Sequence, residues 1–155
     1  NKRMETILPL KPTLLSEMQI SESAYFDLLT NEEVPFYTDV IGNNYVPTNL
    51  FQIHLSNPDW NDAEEGYAKI YLGAQYKSLN GTAVLNDNSE TGTCNLIILA
   101  DDEIIYNQPY DRTTIPQAIN LDVTDKQWIE FKITYPEDNS SYVSNILLSG
   151  FCLSK

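Results

Sequence analysis

The chain has one histidine, two cysteines, six glycines with no two adjacent, and only nine lysines and arginines. Each scarcity removes a class of function. A structural zinc site draws four ligands from Cys and His, and His54, Cys94 and Cys152 cannot supply the paired spacing. A Ser-His-Asp or Cys-His mechanism would have to use His54, which lies in Phe51-Gln52-Ile53-His54-Leu55 with no nucleophile elbow anywhere in the chain. Isolated glycines form neither a phosphate loop nor a dinucleotide fingerprint, so no cofactor is expected. The nine basic residues face 22 carboxylates, a formal charge of −13, and such a chain repels phosphate backbones and anionic surfaces. The longest unbroken aliphatic stretch, Leu96 to Ala100, is far shorter than the roughly 20 residues of a membrane span. Neither nucleic acid nor membrane insertion is expected.

What is present is enough apolar residue for one core: 155 residues, 42% hydrophobic. Residues 1–155 read as a single domain, with 1–13 as a linker segment. The chain opens with Asn1 and no signal peptide, so it is expected to be a piece of a longer protein.

The C-terminal half has the period of two that marks half-buried strands. Ile129, Phe131, Ile133 and Tyr135 alternate with Trp128, Glu130, Lys132 and Thr134; Ile119, Leu121 and Val123 alternate with Asn120, Asp122 and Thr124. Cys94 to Ala100 is apolar on both sides and reads as a central, sandwiched strand. Asp101-Asp102 turns it into Glu103 to Tyr106, a hairpin. Further strands are expected at 68–72, 79–85 and 143–153, with polar loops at 86–92 and 136–141. Leu14, Leu15 and Met18 would share one side of a helical turn, while Pro35, Gly42, Pro47 and Pro58 cut the middle of the chain into short pieces. Short strands, polar turns and no long helix argue an all-β fold, an antiparallel β-sandwich. Two cysteines allow one disulfide or two free thiols, and both stay open.

Several segments resemble a known family. Leu14-Leu15-Ser16-Glu17-Met18, Asp39-Val40-Ile41-Gly42-Asn43-Asn44-Tyr45 and the run from Ile70 to Gly81 are similar to the NPCBM family of carbohydrate-binding modules. The similarity continues through Cys94 to Tyr106, Ile119 to Val123 and Trp128 to Ile133. It departs at Gln52-Ile53-His54-Leu55, where the family often has a Gly-His-Ala-like segment, and at Ser56 to Gly66. The resemblance implies a jelly-roll-like sandwich, an extracellular or cell-surface bacterial setting, covalently linked neighbouring domains, and glycan binding without catalysis.

Sugar recognition needs an aromatic face against the C–H groups of the ring, with amides and carboxylates bonding the hydroxyls. The best local match is Asn57-Pro58-Asp59-Trp60-Asn61-Asp62, preceded by His54; Asp59, Trp60 and Asn61 are candidate ligand contacts, against the alternative of a loop folded back on the sandwich. A second match is Tyr106-Asn107-Gln108-Pro109-Tyr110-Asp111-Arg112, read as a loop, in which Gln108, Tyr110 and Arg112 are candidates; Arg112 would fork to sugar hydroxyls or to Asp111. Tyr142 is a third. Trp128, opening a strand, is expected to cover the edge of the core. Asp101 and Asp102 are candidate calcium ligands, against the alternative of solvated turn carboxylates. Glycoside hydrolysis needs a deep cleft that so small a sandwich leaves little room for. The rival reading is a structural or protein-interaction sandwich that has lost its sugar site, and Trp60 and Tyr110 exposed around one concavity would speak against it. An intracellular regulatory domain is a third reading.

Overall fold

The computed structural model describes residues 10–56, 62–136 and 143–155. Fourteen strands are found among them. The first seven are β1 (Thr13–Leu14), β2 (Ile20–Ala24), β3 (Phe26–Leu28), β4 (Tyr37–Thr38), β5 (Asn44–Tyr45), β6 (Leu50–Ser56) and β7 (Glu64–Glu65). The others are β8 (Tyr67–Tyr71), β9 (Ser78–Leu85), β10 (Cys94–Ala100), β11 (Glu103–Tyr110), β12 (Gln117–Asp122), β13 (Trp128–Thr134) and β14 (Val143–Ser154). The only helical piece among the described residues is one 3-10 turn, Leu15–Glu17. None of their helices is long and apolar enough to cross a membrane.

The strands form an antiparallel β-sandwich, as the alternation implies. One sheet runs β12-β9-β14-β6-β3, with β1 on β14 and β7 on β6; the other runs β11-β10-β13-β8-β2. Their facing sides close a single main core. From β13 this core takes Ile129, Phe131 and Ile133, each at most 1% exposed. A file of rings crosses it: Phe26 stacks on Phe51 at 5.0 Å, lies 6.2 Å from Phe131, and Phe131 meets Phe151 edge-on at 5.4 Å. Phe26, Phe51 and Phe151 belong to the first sheet and Phe131 to the second, so the file ties the layers together.

Phe151 has room because β9 passes beneath it as Gly81. A Cβ built there would lie 2.4 Å from the ring, closer than non-bonded carbons approach. Just before Phe151, β14 carries a bulge between Ser149 and Cys152, with Gly150 at φ +66°. Asn49 stitches the bulge down: its amide donates to the Phe151 carbonyl at 2.9 Å, and its carbonyl oxygen on the backbone accepts the Gly150 N–H. Inside the bulge the alternation leaves Phe151 and Leu153 in the core and turns Cys152 away from it, whereas Cys94 is buried. Both cysteines are free thiols, and burial pushes the Cys94 thiol up to about 12.

Four expectations need correction. Cys94 to Ala100 is not covered on both sides: Asn95, Ile97 and Leu99 are only partly buried, because among the described residues no layer lies over the outer face of the second sheet. The strand buried on both faces is β14, whose Leu147 packs outward with Leu50 and Val84 under Leu29, Tyr37, Val40 and Tyr45. The Pro- and Gly-cut middle of the chain thus roofs the first sheet. Second, the hairpin arm after Asp101-Asp102 runs on to Tyr110, with Pro109 opposite Asn95 on the edge of the sheet, where a missing N–H costs least. Third, the helical turn near Leu14 is only Leu15–Glu17, with Leu15 buried and Leu14 partly exposed. Fourth, Thr13, counted with the linker, pairs with Leu153.

The roof is fastened by Asp39, 1% exposed. Its carboxylate accepts the N–H groups of Ile41 and Asn43, the Asn43 amide and the Tyr45 hydroxyl at 2.8 to 3.1 Å. Burial raises the Asp39 pKa, but these donors outweigh it and hold the carboxyl below its ordinary range.

Two outcomes follow. Gly81→Ala should cost roughly 1–3 kcal/mol by overpacking against Phe151, lowering the thermal midpoint by several degrees in calorimetry; an unchanged midpoint would contradict the packing. Because Asp39 is depressed in the native state, its contribution is complete above about pH 4 and is lost as pH falls through the lower native value. Urea titrations between about pH 7 and pH 3 should therefore show Asp39→Asn less stable at neutral pH and less sensitive to acid than the parent chain.

Candidate functional site

On β13 the residues between the core positions face outward: Trp128, Glu130 and Lys132. Register sets their neighbours, since directly opposed residues share a face. Trp128 lies opposite Tyr71, Glu130 between Lys69 and Leu99, and Lys132 between Tyr67 and Ile97. Glu22 of β2 completes the Glu130–Lys69 row. Lys69 Nζ is 3.7 Å from Glu22 Oε2, and the Tyr67 hydroxyl donates to Glu22 Oε1 at 2.9 Å.

Against this face lies a hollow of about 460 Å³ whose lining includes Trp128, Asp102, Ser21 and Glu22. A second hollow of about 270 Å³, reaching Glu65 and Lys132, shares Glu22, Lys69 and Glu130 with the first, so the two form one groove. Trp128 is 43% and Tyr71 51% exposed, their rings edge-on at 5.0 Å. The Tyr71 hydroxyl donates to Gln127 Oε1 at 3.1 Å. The backbone of Trp128 is fixed as well. Asp101 and Asp102 have φ +47° and +65°, the left-handed pair of a two-residue hairpin turn. That turn aims the Asp101 carboxylate at the Trp128 N–H (2.9 Å) and the Gln127 N–H (3.1 Å). Trp128 therefore does not cover the core edge as expected; it is a fixed aromatic surface facing solvent.

The other sequence candidates are distributed differently. His54 is half-buried on β6: Nδ1 is 2.6 Å from Asn145 Oδ1 and Nε2 is 2.9 Å from Glu64 Oε2. The Asn145 amide donates to Asn88 Oδ1, and the Asn145 N–H to the Ser89 hydroxyl. Arg112 joins the same network, donating to the carbonyls of Ser89 (2.6 Å) and Asp87 (2.9 Å) and to Asp87 Oδ1 (2.8 Å). The fork to Asp111 does not form, because the Asp111 carboxylate accepts the Thr113 hydroxyl and N–H and the Thr114 hydroxyl, which hold it below the usual range. His54 and Arg112 are thus linked through Asn145 and Ser89, in a network satisfied from within.

Tyr110 is the clearest correction. It is fully buried, because residues 106–110 are strand and Tyr110 pairs with Cys94 on the core side. Its hydroxyl is 2.6 Å from that of Tyr106, and burial pushes its pKa up. Gln108 is exposed on the edge strand β11, away from the Trp128 hollow's lining. Asp59, Trp60, Asn61 and Tyr142 lie outside the described residues. Asp101 spends its oxygens on backbone N–H groups, and among the described residues no group of three or more His, Cys, Asp and Glu could hold a metal ion. The sequence signal for the groove was the outward row of β13; its partners Tyr71, Lys69 and Glu22 come only from register.

Comparison by sequence finds no matching family model and no matching curated protein. Comparison by structure finds the same sandwich in several solved proteins. The CBM51 from Clostridium perfringens GH95, solved with methyl-galactose, has a TM-score of 0.67 at 10% identity, covering 93% of this chain and 100% of that one. The tandem CBM51 modules of a family 98 glycoside hydrolase from Streptococcus pneumoniae score 0.68 at 13% identity, covering 100% of this chain and 52% of theirs. CBM51-2 of Clostridium perfringens ZmpB, solved with GlcNAc and INT domains, scores 0.67 at 8% identity over 94% of this chain and 32% of that one. At such identities the likeness is one of fold.

Arg112→Lys keeps the charge but cannot reach two carbonyls and a carboxylate at once. It should cost on the order of 1 kcal/mol and speed amide exchange at residues 87–90, while β13 keeps its protection; unchanged exchange there would contradict the clamp.

Proposed function

We propose that this chain is a non-catalytic carbohydrate-binding module of the NPCBM kind, part of a larger secreted or surface bacterial protein, and that it meets its glycan in the groove over the second sheet. The observation that carries this is the exposed, rigidly held Trp128 ring beside a hollow of about 460 Å³ with polar side chains converging on it. A pyranose laid on the ring buries its C–H face, and Glu22, Lys69, Asp102 and Glu130 supply acceptors and a donor for its hydroxyls. The CBM51 neighbours support the reading, since two of them were solved with a sugar. A shallow groove gives weak binding per module, and linked neighbours add avidity. The His54–Arg112 network, with Asp59, Trp60, Asn61 and Tyr142 in the adjoining sequence, is a second candidate surface for the same ligand class. The reading needs no metal or cofactor.

The rival is a sandwich that serves structure or protein contact alone, and the burial of Tyr110 favours it. Titration against a glycan panel separates the two. The parent chain should bind at least one glycan, and Trp128→Ala should weaken that binding at least about tenfold, or 1.4 kcal/mol, while lowering the thermal midpoint by only a few degrees. Absence of binding by a folded chain, or full binding by Trp128→Ala, would overturn the groove as the site.

A further inference from the structure

The groove carries a net negative charge that neutral hydroxyls do not balance. Its walls include Glu22, Glu65, Asp101, Asp102 and Glu130 against Lys69 and Lys132, a formal charge of −3. Among the described residues the ion pairs are His54–Glu64, Lys69–Glu22 and Arg112–Asp87, and no described cation lies within bonding distance of Glu65, Asp101, Asp102 or Glu130. Asp101 is occupied by backbone N–H groups; the other three are not. Sugar hydroxyls hydrogen-bond to ionised carboxylates but, being neutral, leave the net charge unbalanced. A positively charged ligand group balances them, and an exposed Trp face adds to its attraction.

From this charge, the aromatic surface and the two-lobed hollow, and resting on the glycan-binding reading above, we infer that the groove takes a glycan whose hexosamine units carry free, unacetylated amines. The apolar ring face stacks on Trp128, and the ammonium group lies toward Asp102 and Glu130. Together the hollows, about 460 and 270 Å³, fall within the common range for ligand sites, roughly 300–1,000 Å³.

The test is calorimetry on the whole chain at about pH 5, where a hexosamine amine, though less basic than a lysine amine, is protonated and ordinary carboxylates are still ionised. The probes are a glucosamine oligosaccharide, its fully N-acetylated counterpart, a galactose oligosaccharide and oligolysine. The amine form is expected to bind at least about tenfold tighter than the N-acetylated form. That preference should shrink in about 0.5 M salt, where charge attraction is screened. Glu130→Gln with Asp102→Asn should weaken the amine form at least about tenfold more than the N-acetylated form, so that the preference disappears. Equal affinity for the two forms, or binding of the galactose probe alone, overturns the amine inference and leaves glycan binding standing. No binding of any sugar by the folded chain overturns both. Oligolysine binding as tightly as the amine sugar, and surviving Trp128→Ala, shows recognition of charge alone and overturns the assignment to a glycan.

Discussion

The position of Phe131 between Phe26 and Phe151 governs much of this molecule. Its ring reaches from the second sheet into the first, and the space for Phe151 exists only because Gly81 has no side chain. A strand side chain cannot change faces without shifting the whole register. Once Phe131 is fixed inward, Ile129 and Ile133 follow it, and Trp128, Glu130 and Lys132 must point out. The packed interior and the solvent-facing groove are two sides of one seven-residue strand.

The two sheets differ in what lies outside them. The first is roofed by residues from Leu29 to Tyr45, held by the buried Asp39 and its four donors. That roof is why β14 can be apolar on successive residues. Among the described residues the second sheet has no such cover, and its outer face mixes Ile97, Leu99, Trp128 and Tyr71 with Lys and Glu. An uncovered sheet face with fixed aromatics and charges of mostly one sign is suited to a ligand that is itself part apolar and part polar.

Much of the architecture was legible in the sequence. The strict alternation of β13 and β12 and the Asp101-Asp102 turn gave strands and a hairpin by local rules alone. The limits are equally physical. An apolar run such as Leu96 to Ala100 is the same string whether one face is covered or two, and only the missing layer decides. The roof carries no period, because short segments broken by Pro and Gly bury single residues rather than faces. Tyr110 is grouped by sequence with a loop, yet an edge strand tolerates Pro109 and carries Tyr110 into the core. Neighbours of Trp128 come from β8 and β2, more than fifty residues upstream, and no local pattern encodes that pairing.

Pro109 has a consequence beyond its own strand. β11 ends the second sheet, and an open margin of backbone donors and acceptors is a template on which another chain can extend the sheet. A proline in that margin removes one donor, and the displaced register between Ile98 and Leu99 twists the strip around it. Both features oppose edge-to-edge pairing of neighbouring copies along β11.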